Sequence, residues 1–147
     1  MPLSGEYEPS SRPSTAKQVA LYEASDGREG GLTHGLPVIM LTSVGAQSGK
    51  LRKNMLMKVE KDGVYVAVAS IGGAPNNPAW YANLVANPLV EVQDYAHRGD
   101  YVAREVTGDE KKTWWALAAA AFPMYDTYQS KTSREIPLFV LEPVASA

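Results

Sequence analysis

The chain has 147 residues, of which 45% are hydrophobic and 20% are charged, and this balance indicates one folded domain rather than a disordered chain. It contains no cysteine, which excludes disulfides and cysteine-ligated metal sites and favours a reducing compartment. The formal net charge of −2 argues against a general nucleic-acid binder, and no apolar run approaches the roughly 20 residues of a membrane span. We therefore expect a cytoplasmic protein with no nucleic-acid partner and no transmembrane segment.

The first third of the chain predicts an arm, a helix and a strand. Residues 1–13, rich in Ser and Pro, are typical of a mobile arm. Ser14 or Thr15 is a candidate cap for a short helix that ends at Ala24. The apolar side of this helix would consist of Val19, Leu21 and Tyr22. Residues 37–42 then form a β-rich apolar run, and the glycines at 45 and 49 mark a turn.

The middle of the chain predicts a hairpin and a second helix. Residues 51–59 read as a strand, Asp62-Gly63 is a strong hairpin turn signal, and residues 64–70 form the return strand. Asn77-Pro78 is typical of a helix start, with Asn as the cap and Pro at the first helical position. The buried face of that helix would carry Trp80, Leu84 and Val85.

The last third predicts two strands, a helix and a final strand. The strands are residues 89–95 and 101–106, and the capping-box sequence 107–110 opens a helix that ends at Ala121. Residues 136–141 form the last strand. Hairpins dominate and no βαβ alternation recurs, so the predicted fold class is α+β, mainly β. We expect an antiparallel sheet that closes toward a small barrel, with helices packed outside it.

Several kinds of active site are absent from the sequence. The two histidines, His34 and His97, have no partner at metal-ligand spacing, so we expect no metal site and a structural or solvated role for both. There is no G-x-S-x-G elbow and no G-x-G-x-x-G after a strand. The segment 45–50, Gly-Ala-Gln-Ser-Gly-Lys, has one residue too few for a P-loop and leads into a strand, which excludes an ATPase of that type.

Charge is unevenly distributed along the chain. Residues 30–59 contain no Asp or Glu but include Lys50, Arg52, Lys53 and Lys58. A cationic patch on an acidic protein indicates a discrete anionic ligand, although a solvated basic hairpin explains the charges equally well. The Gly- and Ser-rich turn at 45–50 is a candidate anion nest. A second loop, with Gly72 and Gly73, would let a flat ligand approach the backbone closely beside a helix N-terminus.

Four segments carry an ordered set of motifs: residues 42–56; residues 70–84, with Ser-Ile-Gly-Gly at 70–73 and Asn-Pro-Ala-Trp-Tyr-Ala-Asn-Leu at 77–84; residues 122–129; and residues 136–143. In this order they resemble the deazaflavin-dependent nitroreductase family of actinobacteria. The resemblance covers residues 35–143. It implies a split β-barrel similar to FMN-binding, pyridoxamine-phosphate-oxidase-like proteins. We therefore expect residues 1–34 to form an N-terminal arm and short helix, and residues 35–147 to form the deazaflavin-binding barrel domain.

The same resemblance implies coenzyme F-420, an 8-hydroxy-5-deazaflavin with a phosphate and a polyglutamate tail. It assigns the phosphate and tail to residues 47–48 and 52–57, and the deazaflavin ring to residues 68–71 and 79–83. The implied cofactor contacts are Gln47, Ser48, Arg52, Lys53, Asn54, Met55, Leu56, Met57, Val68, Ala69, Ser70, Ile71, Ala79, Trp80, Tyr81 and Asn83. The basic patch adds Lys50, and the glycine-rich platform adds Gly72 and Gly73.

The chain departs from the family pattern at four positions. Ala46 and Gln47 stand where the family often has Arg and Lys, so part of the expected anion-binding charge is missing. Ile71 replaces a Lys of the nitroimidazole-activating member, and Phe122 replaces a Tyr. Activity on nitroimidazole drugs is therefore not implied.

Phe122, Tyr125 and Tyr128 recur every three residues and share one face of a helical turn. Such a stripe is often core packing. The alternative is a lid over the deazaflavin, with Tyr125 or Tyr128 orienting the substrate, and we favour the lid for Tyr125.

These features predict an F-420-dependent reductase that transfers a hydride to a quinone, a nitroaromatic compound or an activated enone. The cofactor carries the chemistry, which fits the lack of a catalytic constellation. The alternatives are a non-catalytic protein that stores deazaflavin, or an FMN-binding relative. The expected partner is a small-molecule electron acceptor, and the protein would be a monomer or a homodimer. Peripheral contact of the N-terminal helix with the inner face of the cell membrane is a further hypothesis.

Overall fold

The computed structural model describes residues 3, 5–70 and 73–144. Its helices are α1 (Pro13–Ala24), α2 (Ala79–Ala86), α3 (Gly108–Ala121) and α4 (Met124–Ser130). Its strands are β1 (Leu32–Thr33), β2 (Leu36–Val44), β3 (Leu51–Met57), β4 (Glu60–Lys61), β5 (Val64–Val68), β6 (Leu89–Asp94), β7 (His97–Val106) and β8 (Leu138–Pro143). Hydrogen-bonded neighbours follow the order β1-β2-β6-β7-β8-β5-β4, and β3 pairs with β2.

The sheet curls into a barrel because one stretch of chain joins its two edges. The amide of Lys58, just after β3, donates to the carbonyl of Pro37 on β2 at 3.0 Å. One residue later the carbonyl of Val59 accepts the amide of Val66 on β5 at 2.9 Å. The strand thus leaves one edge of the sheet and joins the other. This geometry confirms the predicted antiparallel barrel.

Side chains alternate between the barrel interior and the helices outside it, as the two-residue period of a strand requires. On β2, Ile39 and Leu41 belong to the interior cluster, whereas Val38 and Met40 pack beneath α1. On β8, the odd-numbered residues of 138–141 face the interior and the even-numbered ones pack beneath α3 and α4. Helix α2 packs its Trp80 and Leu84 into the interior cluster.

The predicted helices exist, but their predicted caps do not. The N-cap residues are Arg12 for α1, Pro78 for α2 and Thr107 for α3, and none makes a side-chain capping bond. Asn77 accepts a hydrogen bond from Arg134 instead of capping α2, and Glu110 binds Arg104 instead of closing a capping box. The arginine that binds Asn77 is 57 residues away along the chain, and the one that binds Glu110 is six residues away.

The predicted apolar faces are correct except at one position in each of two helices. Val19 and Tyr22 of α1 are fully buried against β2, but Leu21 is 39% exposed. In α2, Trp80 and Leu84 are buried and Val85 is 60% exposed. Helix α1 therefore uses its apolar side for the protein core, and Leu21 is its remaining exposed large apolar side chain among the described residues.

Part of the predicted mobile arm is held along β3. The amide of Glu8 donates to the carbonyl of Leu51, and the amide of Leu51 donates to the carbonyl of Glu6, at 2.9 and 2.8 Å. This segment follows the strand edge that β2 leaves open. The expected boundary between residues 34 and 35 falls inside the turn that joins β1 to β2. None of the helices within the described ranges has both the length and the apolar character needed to cross a bilayer.

Candidate active site

A cleft of about 520 Å³ opens between β3, the end of β5, the start of α2, and α4. This volume lies in the usual range of small-molecule sites. The cleft combines apolar and aromatic walls with arginines, and no Asp or Glu is among its described lining residues. The lining consists of Ser10, Ser11, Arg12, Thr15, Gln18, Thr33, His34, Val38, Arg52, Asn54, Met55, Leu56, Met57, Val68, Ser70, Pro78, Ala79, Trp80, Phe122, Tyr125 and Tyr128.

The cleft collects about half of the residues that the sequence predicts for the site. Predicted residues that line it are Arg52, Asn54, Met55, Leu56, Met57, Val68, Ser70, Ala79, Trp80, Tyr125 and Tyr128. Predicted residues that lie outside its lining are Gln47, Ser48, Lys50, Lys53, Ala69, Gly73, Tyr81 and Asn83. Ile71 and Gly72 lie outside the described residues.

The cations of the acid-free segment all have carboxylate partners from other parts of the chain. Lys50 Nζ lies 3.2 Å from a Glu6 carboxylate oxygen, and Arg52 Nη1 lies 2.7 Å from Glu8 Oε1. Lys53 pairs with Glu23 of α1, and Lys58 pairs with Asp94 of β6. Much of the cationic patch predicted from the sequence is thus neutralised within the fold. Of these four cations, Arg52 is the one that lines the cleft.

Arg12 is a cleft cation that the sequence analysis missed. It is exposed at the N-cap of α1 and has no carboxylate partner within the described part of the chain. It lies in the N-terminal arm, outside the segments that carry the family resemblance. No local pattern around Arg12 signals a site, because Arg12 and Arg52 come to the same cleft only in the folded chain.

The aromatic stripe forms one wall of the cleft and also belongs to the core. Phe122 and Tyr125 are 5% and 4% exposed and pack in the cluster beneath α3 and α4, while Tyr128 is half-buried at its edge. The ring of Phe122 lies edge-on to Tyr125, with centroids 5.0 Å apart. The two interpretations of the stripe therefore coexist, since rings fixed by core packing also face the cleft.

The Tyr125 hydroxyl forms no hydrogen bond with any described residue, although Tyr125 lines the cleft. Burial, with a smaller contribution from the neighbouring Tyr128, raises the pKa of Tyr125 above its ordinary value. The phenol therefore stays protonated at neutral pH. It is a hydrogen-bond donor available to a molecule in the cleft.

Arg134 fixes the loop that follows β5. Its guanidinium donates to the carbonyls of Ala69, Ser70 and Ala74 at 3.1, 2.9 and 2.8 Å, and to Asn77 Oδ1 at 2.7 Å. Its own carbonyl accepts a bond from Gln129 of α4. Arg134 thus joins the two ends of residues 69–77 to the helix that carries the cleft tyrosines.

Gly73, which was predicted to let a ligand approach the backbone, packs against the backbone of α4. Its φ is +80°, and a Cβ atom there would lie 2.6 Å from the carbonyl oxygen of Tyr128. The missing side chain therefore lets the loop pack against the backbone of α4. This contact holds Ser70 and Tyr128 on adjoining walls of the cleft.

Two other predicted contacts serve the scaffold. Asn83 is buried, and its Oδ1 accepts the amide of Ala46 at 2.9 Å, which ties the 45–50 turn to α2. The Tyr81 hydroxyl donates to Glu105, and the ring of Tyr81 packs on Phe139. Both residues stabilise elements that border the cleft without lining it.

Comparison with known proteins agrees with this architecture. A family model described as F420H(2)-dependent quinone reductase matches residues 14–143. The F420H(2)-dependent quinone reductase of Mycobacterium tuberculosis is 36% identical over 126 residues, which are 83% of this chain and 85% of that protein. The solved F420-H2 dependent reductase FDR-A is 50% identical, covers 72% of this chain and 94% of its own, and superposes with a TM-score of 0.69.

Two further structures extend the likeness. A protein described as a domain-swapped dimer is 44% identical, covers 86% of this chain and 92% of its own, and has a TM-score of 0.72. A Listeria innocua protein assigned as a pyridoxamine 5′-phosphate oxidase covers 88% of this chain and 92% of its own at 15% identity, with a TM-score of 0.52, and shows the shared fold alone.

The fold and the cleft define a split-barrel oxidoreductase that binds a flavin-like cofactor. The chain belongs to the F420H(2)-dependent quinone reductase family, and its cofactor is coenzyme F-420. The family match begins at residue 14 and so includes nearly all of α1, whereas the resemblance seen in the sequence begins at residue 35. The lining fits this group, because aromatic and aliphatic walls suit a flat deazaflavin and arginines without acids suit its anionic tail.

Proposed function

We propose that this protein reduces a quinone and that the cleft holds the cofactor and the acceptor side by side. When bound, the reduced coenzyme supplies a hydride. The observation that carries the proposal is the division of one cleft into an arginine-bearing side and a tyrosine-bearing wall. The protein's task is then to orient two flat molecules and to exclude water between them.

Arg12 and Arg52 would bind the anionic part of the cofactor. Both line the cleft, and Arg12 lacks a competing carboxylate among the described residues. Beyond Arg52, the strand leads to Lys50 and the turn that contains Gln47 and Ser48. A polyglutamate tail would extend in that direction and would compete there with Glu6 and Glu8 for the same cations.

The deazaflavin ring would lie between β3 and the start of α2. Leu56 and Met57 line one side of the cleft there, and Val68, Ala79 and Trp80 line the other. Trp80 is buried by the interior cluster, so its position is fixed before any ligand arrives. A rigid apolar slot reduces the ordering cost of binding a flat ring.

The acceptor would lie against Phe122, Tyr125 and Tyr128. Quinones are flat and carry two carbonyl oxygens, so they suit an aromatic wall that presents an unpaired phenol. The Tyr125 hydroxyl would donate to one quinone oxygen and hold it in place. An acceptor without such an oxygen would be oriented less well.

A stopped-flow assay tests this function. Reduced coenzyme F-420 is mixed with menadione, with and without protein, and the absorbance of the oxidised deazaflavin is followed. We expect saturable acceleration by the protein, with a higher kcat/KM for menadione than for a nitroaromatic acceptor. Tight binding of the cofactor without turnover on any acceptor would indicate a storage protein, and tighter binding of FMN than of F-420 would indicate the FMN-binding alternative.

Two tryptophan substitutions on α2 give a matched control for the location of the site. Ala79 is exposed and lines the cleft, whereas Val85 is exposed on the same helix outside it. Ala79→Trp should abolish cofactor binding, and Val85→Trp should leave it unchanged. Normal binding by Ala79→Trp would place the ring elsewhere.

We also propose a cytoplasmic protein that acts as a monomer or a homodimer. A dimer is supported by the relative described as a domain-swapped dimer. Light scattering on the purified chain tests the assembly. Sedimentation with anionic vesicles, beside a Leu21→Ser variant of α1, tests peripheral membrane contact, which the burial of Val19 and Tyr22 disfavours.

A further inference from the structure

His34 occupies a tight turn at the edge of the cleft. It is the first residue of a two-residue turn between β1 and β2, with φ of +53° at His34 and +74° at Gly35. Turns of this kind favour Asn, Asp or Gly at the first position, and histidine is among the residues that adopt a positive φ more often than most.

The imidazole of His34 faces the acceptor wall. It stacks on Phe122 at a centroid distance of 5.9 Å and an interplanar angle of 13°. Phe122 in turn contacts both Tyr125 and Tyr128. The side chain is also exposed, so it can exchange protons with bulk water. The hydrogen bonds of Gln18 to Gly30 and Thr33 hold this hairpin against α1.

Reduction of a quinone needs a proton as well as a hydride. When a hydride adds to one carbonyl oxygen of a quinone, an electron pair moves through the ring onto the other carbonyl oxygen, and that oxygen takes one proton to complete the hydroquinone. The other titratable or charged groups of the cleft lining are Arg12, Arg52, Tyr125 and Tyr128. Arginine does not release protons, and burial raises the pKa of Tyr125. Histidine is the side chain that exchanges protons between pH 5 and 8.

We propose that His34 is the general acid that protonates the acceptor oxygen. An imidazolium N–H bond breaks, an acceptor O–H bond forms, and bulk water returns the proton to the exposed ring. This inference rests on the proposed quinone reductase function. The stack on Phe122 keeps the imidazole beside the acceptor while leaving its edge accessible to water.

The two histidines of the chain provide a matched pair of variants. His34→Asn suits the turn, because Asn adopts positive φ readily, so the fold should be retained. His97 is hydrogen-bonded to Tyr101 on β7 and is not among the described cleft-lining residues, and His97→Asn is the control. We expect His34→Asn to lower kcat on menadione about 100-fold, the lower end for a general acid, with cofactor affinity and melting temperature unchanged. His97→Asn should retain wild-type kcat.

The pH profile and NMR provide readouts that a structural role would not change. The pH profiles of kcat for the wild type and for His97→Asn should share a decrease toward high pH that the His34→Asn profile lacks. Menadione added to protein that carries oxidised coenzyme F-420 should shift the His34 imidazole resonance and leave that of His97 in place. Equal kcat and equal pH profiles for His34→Asn and wild type would overturn the inference. A wild-type protein with no quinone turnover would instead reject the proposed function.

Discussion

The two walls of the cleft are built on different physical principles. The β3 wall presents Arg52 in a row of cations, each paired with a carboxylate from outside residues 30–59. The α4 wall presents aromatic rings fixed by core packing, with Arg134 fastening the adjoining loop to them. On the first wall, the ion pairs of Lys50 and Arg52 remain partly exposed to solvent, so their carboxylate partners can be exchanged for a ligand. On the second wall, burial in the core holds the aromatic rings in place.

Because of this difference, we expect the β3 wall to set the affinity for the cofactor and the α4 wall to set the orientation of the bound molecules. Exposed ion pairs contribute little to stability, so Glu6 and Glu8 can be replaced by an anionic ligand at small cost. Buried rings and a guanidinium that donates to three carbonyls cannot move without a large loss of packing or hydrogen bonding. We therefore expect variants of the β3 wall to change cofactor affinity and variants of the α4 wall to change stability and turnover.

The largest effect is expected for Tyr125→Ala. Removing a buried aromatic ring should cost about 3–5 kcal/mol of unfolding free energy. Tyr128→Ala, at a half-buried position on the same helix, is the control and should cost less. Urea denaturation measures both losses. Tyr125→Phe should keep the stability and reduce kcat/KM on quinones more than on nitroaromatic acceptors. An equal loss of kcat/KM on both acceptors, in step with a lower melting temperature, would mean that the role of Tyr125 is purely structural.

Arg134→Ala should cost about 2–4 kcal/mol, because its loss leaves three carbonyls and Asn77 without their donor. Arg98→Ala is a suitable control, since Arg98 binds Asp26 and the carbonyl of Glu23 at the surface and should be nearly neutral. Thermal unfolding compares the two variants. Arg134→Lys should not restore stability, because a single ammonium cannot reach the same set of acceptors. Full recovery by lysine would contradict the role assigned to the guanidinium.

Arg52→Ala should weaken the binding of coenzyme F-420 about 10-fold, the effect of losing one charge-assisted contact of about 1.5 kcal/mol. Lys50→Ala is the matched variant outside the cleft and should weaken binding less, through the tail alone. Fluorescence titration of the oxidised cofactor gives both affinities. At high salt, screening should reduce the difference in cofactor affinity between the two variants. Equal affinities of the two variants at low salt would show that Arg52 does not bind the cofactor.

The smallest effect is expected for Glu8→Gln, and it is an increase in cofactor affinity where Arg52→Ala gives a decrease. Neutralising Glu8 frees Arg52 from its 2.7 Å ion pair, so cofactor affinity should rise about 2- to 5-fold while stability changes by less than about 1 kcal/mol. Glu6→Gln frees Lys50 instead and should have a weaker effect. The same titration measures both changes. A decrease in affinity for Glu8→Gln would mean that Glu8 supports the site rather than competes for it.

Local patterns were sufficient for much of the fold. The Asp62-Gly63 turn, the apolar run of β2 and the helical stripe of Phe122, Tyr125 and Tyr128 depend on interactions within a few residues, and the structure has each of them. Exact strand and helix boundaries and caps were predicted less well. Asn77 and Glu110 had suitable capping positions, but Arg134 and Arg104 bind them instead.

The sequence by itself determined the class of the protein, because the order of strands, glycine turns and motif residues is a property of the chain alone. Only the tertiary structure decided which charges remain available and which residues meet at the cleft. Arg12 and His34 reach the cleft from segments with no motif, and Glu8 and Glu23 neutralise cations that are 44 and 30 residues away along the chain. The physical reason is that Coulomb attraction and packing depend on distance in space, which the curl of the sheet sets and residue spacing does not.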